Sequence, residues 1–130
     1  MEQNKILINK AKEVSKNAYA PYSKFKVGAA AEFESGNIYT GCNVENASYG
    51  LTVCAERNGI SSAIASGEKT KLKKLAIFSP NQKKCVPCGA CRQWLAEFAC
   101  SSAEIILEGE NEEIIVMTLE EIFPNAFSIN

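Results

Sequence analysis

TVCAERNGISSAIASG, residues 52–67, sets a cysteine directly before a stretch with helical spacing, residues 55–66, that Gly67 stops. A thiol in that place lies at a helix N-terminus, where unpaired backbone N–H groups favour a negative charge. Glu56 and Arg57 follow it within the first turn. Gly59 in the middle of the stretch costs on the order of 1 kcal/mol against alanine, which predicts close packing there. A second segment answers the first: PCGACRQWLAEFAC, residues 87–100, opens with proline and puts Cys88 and Cys91 at the start of another helix.

The rest of the chain fills in around these two helices. Ile6, Leu7, Ala11, Val14 and Ala18 recur at helical spacing over residues 2–19, and Pro21 ends that helix by pushing the residue before it out of the helical region. Residues 24–33, with Phe25, Val27 and Ala29 alternating, and residues 38–44 read as a hairpin about the turn ESGN. KLAIFS (74–79) suits a buried strand, and 104–108 and 113–117 suit two more, joined by GENE. Helix, two strands, helix, strand, helix, two strands predicts an α/β fold: a three-layer α/β/α sandwich with a mixed five-stranded sheet, in one domain spanning 1–130.

Composition limits the function. Hydrophobic residues make up 46% and charged ones 22%, the balance of a soluble globular chain. Fourteen basic residues against fifteen acidic ones leave a net charge of −1, so binding driven by phosphate neutralisation is not expected and nucleic acid is excluded as the main partner. The lysines at 69, 71, 73 and 74 read as a solvated edge. No apolar run approaches the roughly 18 residues of a membrane span, and MEQNKILINKAKEV lacks the apolar centre of a signal peptide; a cytoplasmic location is expected. There is no histidine, so proton transfer near neutral pH falls to a carboxylate, lysine, tyrosine or thiol with a shifted pKa.

Of six cysteines, Cys42 and Cys100 read as small buried apolar groups. Cys88 and Cys91 have the C-x2-C spacing that lets two sulfurs bind one tetrahedral metal. If the two helix starts meet at the sheet, Cys54 brings a third thiolate and the fourth position stays open, as in catalytic zinc sites. Glu56 would then stand close enough to handle the protons of a metal-bound water. Three thiolates leave Zn2+ with a net charge near −1, and Arg57 offers a cation to temper it. Other readings exist: a structural zinc with Cys85 as fourth ligand, which would leave Glu56 idle, or a CGAC redox dithiol. An iron–sulfur pattern fits poorly, because Leu95 stands where its fourth cysteine belongs.

CAE (54–56) followed by PCGACRQ (87–93) resembles the small homotetrameric, zinc-dependent cytidine deaminases, as do AYAPYSKFKVGAA (18–30), GCNVENASYG (41–50) and FPNAF (123–127). A related zinc deaminase signature has histidine where this chain has Cys54. The resemblance implies Cys54, Cys88 and Cys91 as ligands of one Zn2+ per subunit and Glu56 as proton shuttle. It implies Phe25 stacking on the pyrimidine, Asn43 and Glu45 on the ribose hydroxyl, and the Ala55 N–H on the ring carbonyl. Phe127 would reach a neighbouring subunit's site; apart from the resemblance, Phe123 and Phe127 exposed on a lone monomer would be awkward, so their burial between subunits is expected. The implied reaction is attack of zinc-bound hydroxide on C4 of cytidine, and of 2′-deoxycytidine, in pyrimidine salvage, Glu56 passing protons to N3 and the departing ammonia. RNGI (57–60) and the loop SPNQKKCVPCG (79–89) depart from the family pattern.

Overall fold

A computed structural model of the chain describes residues 2–129. Four helices surround five strands: α1 (Glu2–Ser15), β1 (Gly28–Phe33), β2 (Ile38–Cys42), α2 (Ala55–Ala65), β3 (Leu72–Phe78), α3 (Gly89–Phe98), β4 (Ala99–Glu108), β5 (Ile114–Thr118) and α4 (Leu119–Ile122). The strands form one sheet in the order β2-β1-β3-β4-β5. β3 and β4 are parallel and every other neighbouring pair is antiparallel, so the sheet is mixed, as the sequence predicts.

Alternation along β1 assigns the two faces, because successive side chains of a strand point to opposite sides. Ala30 packs with Ala76 and Ile106 against Leu7, Ile8 and Ala11 of α1. Ala29, Ala31 and Phe33 pack with Leu75, Ile77, Ile105 and Leu107 on the other side, where Ala55, Ile60 and Ala63 of α2, Leu95 of α3 and Leu119 of α4 cover them. All of β1 is buried. Its small residues let helices approach from both sides: a Cβ on Gly28 would meet the Ala11 carbonyl oxygen at 2.1 Å.

The structure corrects several element limits. α1 ends at Ser15 rather than residue 19, and its buried face is Asn4, Leu7, Ile8, Ala11 and Ser15. Ile6 turns outward, 40% exposed. Polar residues can occupy that face because each has a partner: Lys74 Nζ donates to Asn4 Oδ1 at 2.9 Å, and Ser15 Oγ to the Lys12 carbonyl at 2.7 Å. β4 starts at Ala99, where a helix was expected to continue; Ala99 is extended and pairs with Leu72. The short α4 was not anticipated, although Thr118 and Glu121 form a capping box that the TLEE spelling carries. Cys42 and Cys100 are only partly buried, against the expectation of core thiols. The lysines at 69, 71 and 73 are exposed, as expected, whereas Lys74 is partly covered.

Candidate active site

Two helix starts meet on the face covered by α2 and α3. Cys54 is the N-cap of α2 and Cys88 the N-cap of α3, both with extended backbone, ψ 157° and 169°. Cys91 lies within the first turn of α3, fully buried, and its backbone N–H donates to Cys88 Sγ at 3.4 Å. The Cys54 and Cys88 sulfurs are 4.0 Å apart, and all three lie within 4.8 Å of one another. Among the described residues this is the only grouping of three or more such ligand atoms.

The donor set fits a soft divalent cation. A tetrahedral zinc with bonds of about 2.3 Å places neighbouring sulfurs roughly 3.8 Å apart, close to the 4.0 Å between Cys54 and Cys88. Taken by themselves, the three thiols cannot all ionise. Cys54 is held down to about 5, first by its hydrogen bond with Cys91 and then by Arg57 and Cys88. Cys91 is pushed far up by that same bond to Cys54 and by burial. Only a cation at their centre lets three thiolates coexist. Cys85 stands outside the trio; burial pushes its thiol up to about 11.

Glu56 follows on the first turn of α2, only 5% exposed. Burial raises its carboxyl to about 7, with the Cys54 charge adding to the effect and a hydrogen bond from Cys91 opposing it. A carboxyl so placed both accepts and releases a proton near neutral pH. Arg57 donates through Nη2 to the Thr52 carbonyl at 3.1 Å and faces the charge of Cys54, Cys91 and Cys88. Its Nε is the one buried side-chain polar atom without a partner among the described residues.

A cleft of about 250 Å³ opens above the sulfurs and Glu56, and Phe25, Asn43, Glu45 and Ala55 all line it. Asn43 is buried, and its side-chain amide serves the backbone: Nδ2 donates to the Phe25 carbonyl and Oδ1 accepts from the Val27 N–H, each at 2.8 Å. Glu45 accepts from the Tyr22 and Ser23 N–H groups at 3.0 and 3.1 Å and from the Ser23 hydroxyl. Those donors, the Ser23 hydroxyl foremost, hold its carboxyl below the ordinary range. Phe127 is not brought to this cleft; it is 71% exposed, with Gln93 Nε2 donating to its carbonyl at 3.2 Å. Phe123 is partly buried against the core of its own chain.

Sequence reasoning did not single out Ser23, Val27, Thr52 and Val86, which also line the cleft, or Cys85 as a wall residue. Nor did it find Arg92, whose Nε donates to the Pro87 carbonyl at 2.9 Å and whose Nη1 donates to the Ile122 carbonyl at 2.8 Å, fixing the cysteine loop and α4 to α3. Its signal was its place in PCGACRQ, directly after Cys91.

The family model described as the cytidine and deoxycytidylate deaminase zinc-binding region matches residues 1–114. The chain belongs to this deaminase family. A cytidine deaminase of Sporosarcina psychrophila is 43% identical over 122 residues, covering 94% of this chain and 89% of the relative. One from Halalkalibacterium halodurans is 38% identical over 123 residues, covering 95% and 92%. The crystal structure of cytidine deaminase from Burkholderia pseudomallei superposes with a TM-score of 0.88 at 41% identity, covering 95% of this chain and 98% of the other. That from Mycobacterium tuberculosis gives 0.84 at 38% identity, with 96% and 97% covered. The deaminase fold is thus shared along nearly the whole chain. Zinc is the metal that its cysteine trio is placed to bind, and the chain is a zinc-dependent deaminase. Among the described residues no helix is long and apolar enough to cross a membrane.

Proposed function

We propose that the chain removes the exocyclic amine of cytidine, and of 2′-deoxycytidine, by hydrolysis, releasing ammonia and the uracil nucleoside. One observation carries the reading: a buried carboxyl, Glu56, borders both the three-thiol cluster and a narrow cleft walled by an aromatic ring and an amide–carboxylate pair. Zinc bound by Cys54, Cys88 and Cys91 supplies the Lewis acidity that makes water nucleophilic at neutral pH. The chain's own residues do the rest. Phe25 offers a flat face to the pyrimidine. The Ala55 N–H, in the first turn of α2 and so without an intrahelical acceptor, meets the ring carbonyl. Glu56, held near 7 by burial, takes a proton from the attacking water and gives it to N3, then takes the proton of the hydroxyl added at C4 and gives it to the departing amine. Asn43 keeps a second Nδ2 hydrogen beyond its bond to Phe25, and Glu45 offers a carboxylate; together they hold the ribose hydroxyl. Arg57 tempers the charge of the sulfurs.

A site of this size and near-neutral surface suits a free nucleoside rather than a polynucleotide. The proposal extends to a homotetramer in the cytoplasm, serving pyrimidine salvage, with the exposed Phe127 of one subunit completing a neighbour's cleft. Loss of the cytosine absorbance band, with ammonia released in equal amount, tests the reaction on cytidine and 2′-deoxycytidine. Zinc-loaded protein that leaves both untouched refutes it. A sedimentation mass of four chains tests the assembly.

A further inference from the structure

Residues 25–27 continue the line of β1 toward the cleft, yet backbone pairs them on one side alone. On the β2 side, Asn43 holds the Phe25 carbonyl and the Val27 N–H through its side chain and donates its own N–H to the Val27 carbonyl at 3.2 Å. On the β3 side, both peptide groups of Lys26 are held by side chains. Its N–H donates to Asn81 Oδ1 at 2.9 Å, and its carbonyl accepts from Ser79 Oγ at 2.6 Å. The Asn81 N–H in turn donates to Ser79 Oγ at 3.1 Å, so the two clamp residues brace each other.

Ser79 and Asn81 open the loop that runs on to Cys85, Val86 and Cys88, the wall of the cleft shared with Phe25. The far part of that loop is anchored separately: Lys84 N–H donates to the Glu108 carbonyl at 2.9 Å, and Lys83 Nζ pairs with Glu108 Oε1 at 3.5 Å. A loop fixed to β4 at one end thus grips, at the other, the residue next to Phe25. We infer that Asn81 is a positioning residue for base binding: by holding the Lys26 N–H it sets Phe25 against the Cys85–Val86 wall and so fixes the width of the slot. The inference rests on the deaminase reading for the identity of the base.

The test compares Asn81→Ala, which removes the acceptor, with Asn81→Asp, which keeps one. A net hydrogen bond of about 0.5–1.5 kcal/mol corresponds to roughly 2- to 10-fold in binding. The alanine variant should therefore raise the KM for cytidine by roughly that factor, with kcat and zinc content unchanged, and the aspartate variant should restore it. Exchange of the Lys26 amide hydrogen should quicken in Asn81→Ala alone. An unchanged KM, a fall in kcat in its place, or a Lys26 amide indifferent to the substitution overturns the inference. A wild type inert toward cytidine would overturn the cytidine reading, and Lys26 exchange would still decide whether Asn81 holds the segment.

Discussion

Gly41 of β2 and Gly59 of α2 are in backbone contact: a Cβ on Gly41 would stand 2.3 Å from the Gly59 nitrogen and 2.6 Å from the Ala55 carbonyl oxygen. The reverse is not true. A Cβ on Gly59 would find the Gly41 nitrogen at 3.6 Å, an ordinary contact. The close packing that Gly59 led one to expect is real, but the strict requirement falls on the strand glycine. It lets the helix that carries Cys54, Ala55 and Glu56 lie directly on the sheet.

Opposite outcomes are therefore expected at the two positions. Gly41→Ala forces α2 off the sheet and should destabilise the fold by roughly 1–3 kcal/mol, as overpacking does. Gly59→Ala should be neutral or stabilise by up to about 1 kcal/mol, because the helix gains propensity without a clash. Denaturant midpoints of both variants check this. Equal destabilisation would mean that the contact is tight from both sides.

Glu56→Gln keeps the shape of the side chain and removes its proton chemistry. It leaves the three sulfurs in place, so zinc content should match wild type while turnover of cytidine falls by about 10²–10⁴ or more. Zinc quantified beside the rate separates the two roles. A variant that loses metal and activity together would place Glu56 in holding the site rather than in the reaction.

The helix-capping cysteines, the sheet and its mixed character were legible because they rest on local patterns: a thiol before a helical run, alternation along strands, turns of Gly and Asn. What stayed hidden depends on partners distant in sequence. Asn43 was read for its likeness to a ribose-binding residue, yet much of its amide is engaged by residues 25–27, a pairing 16 and 18 positions away. Residues 25–27 were read as strand, but their bonds run largely to side chains, so regular pairing starts only at Gly28. The face of α1 was misjudged because Asn4 and Ser15 are buried with partners that no periodicity announces. Phe127 was read as reaching a neighbouring subunit's site, and its own chain leaves it exposed.

Cys85 and Cys91 separate an open metal site from a closed one. Cys91 belongs to the trio, and Cys91→Ser should abolish tight zinc binding. Cys85 lines the cleft outside the trio with its thiol pushed up to about 11, so Cys85→Ser should retain the zinc content of wild type. Metal analysis after dialysis against a weak chelator reads both. Loss of zinc from the Cys85 variant would favour a four-thiolate structural site and leave Glu56 without its assigned task.

Glu68 is expected to contribute to acid stability through a different part of the fold. Its carboxylate is buried in the α2–β3 connection and accepts from Ser35 Oγ at 2.9 Å, Asn37 Nδ2 at 3.3 Å and Tyr39 Oη at 3.0 Å. Thr70 adds its N–H at 3.1 Å and its hydroxyl at 2.5 Å, so one side chain ties the β1–β2 hairpin to the entry of β3. These donors, the Thr70 hydroxyl first, hold the carboxyl down to about 2. A pKa lowered in the folded state contributes stability that is fully present above the unfolded value, roughly 4.3, and lost as pH falls toward the folded one. Glu68→Gln should accordingly melt well below wild type at pH 7, and the gap in melting temperature should close between about pH 4.5 and 2. Acid also strips zinc from thiolates, but it does so in both proteins, so the difference between the two curves isolates Glu68. A gap that stays constant across that range would mean that shape and packing, rather than the charge, hold the hairpin to β3.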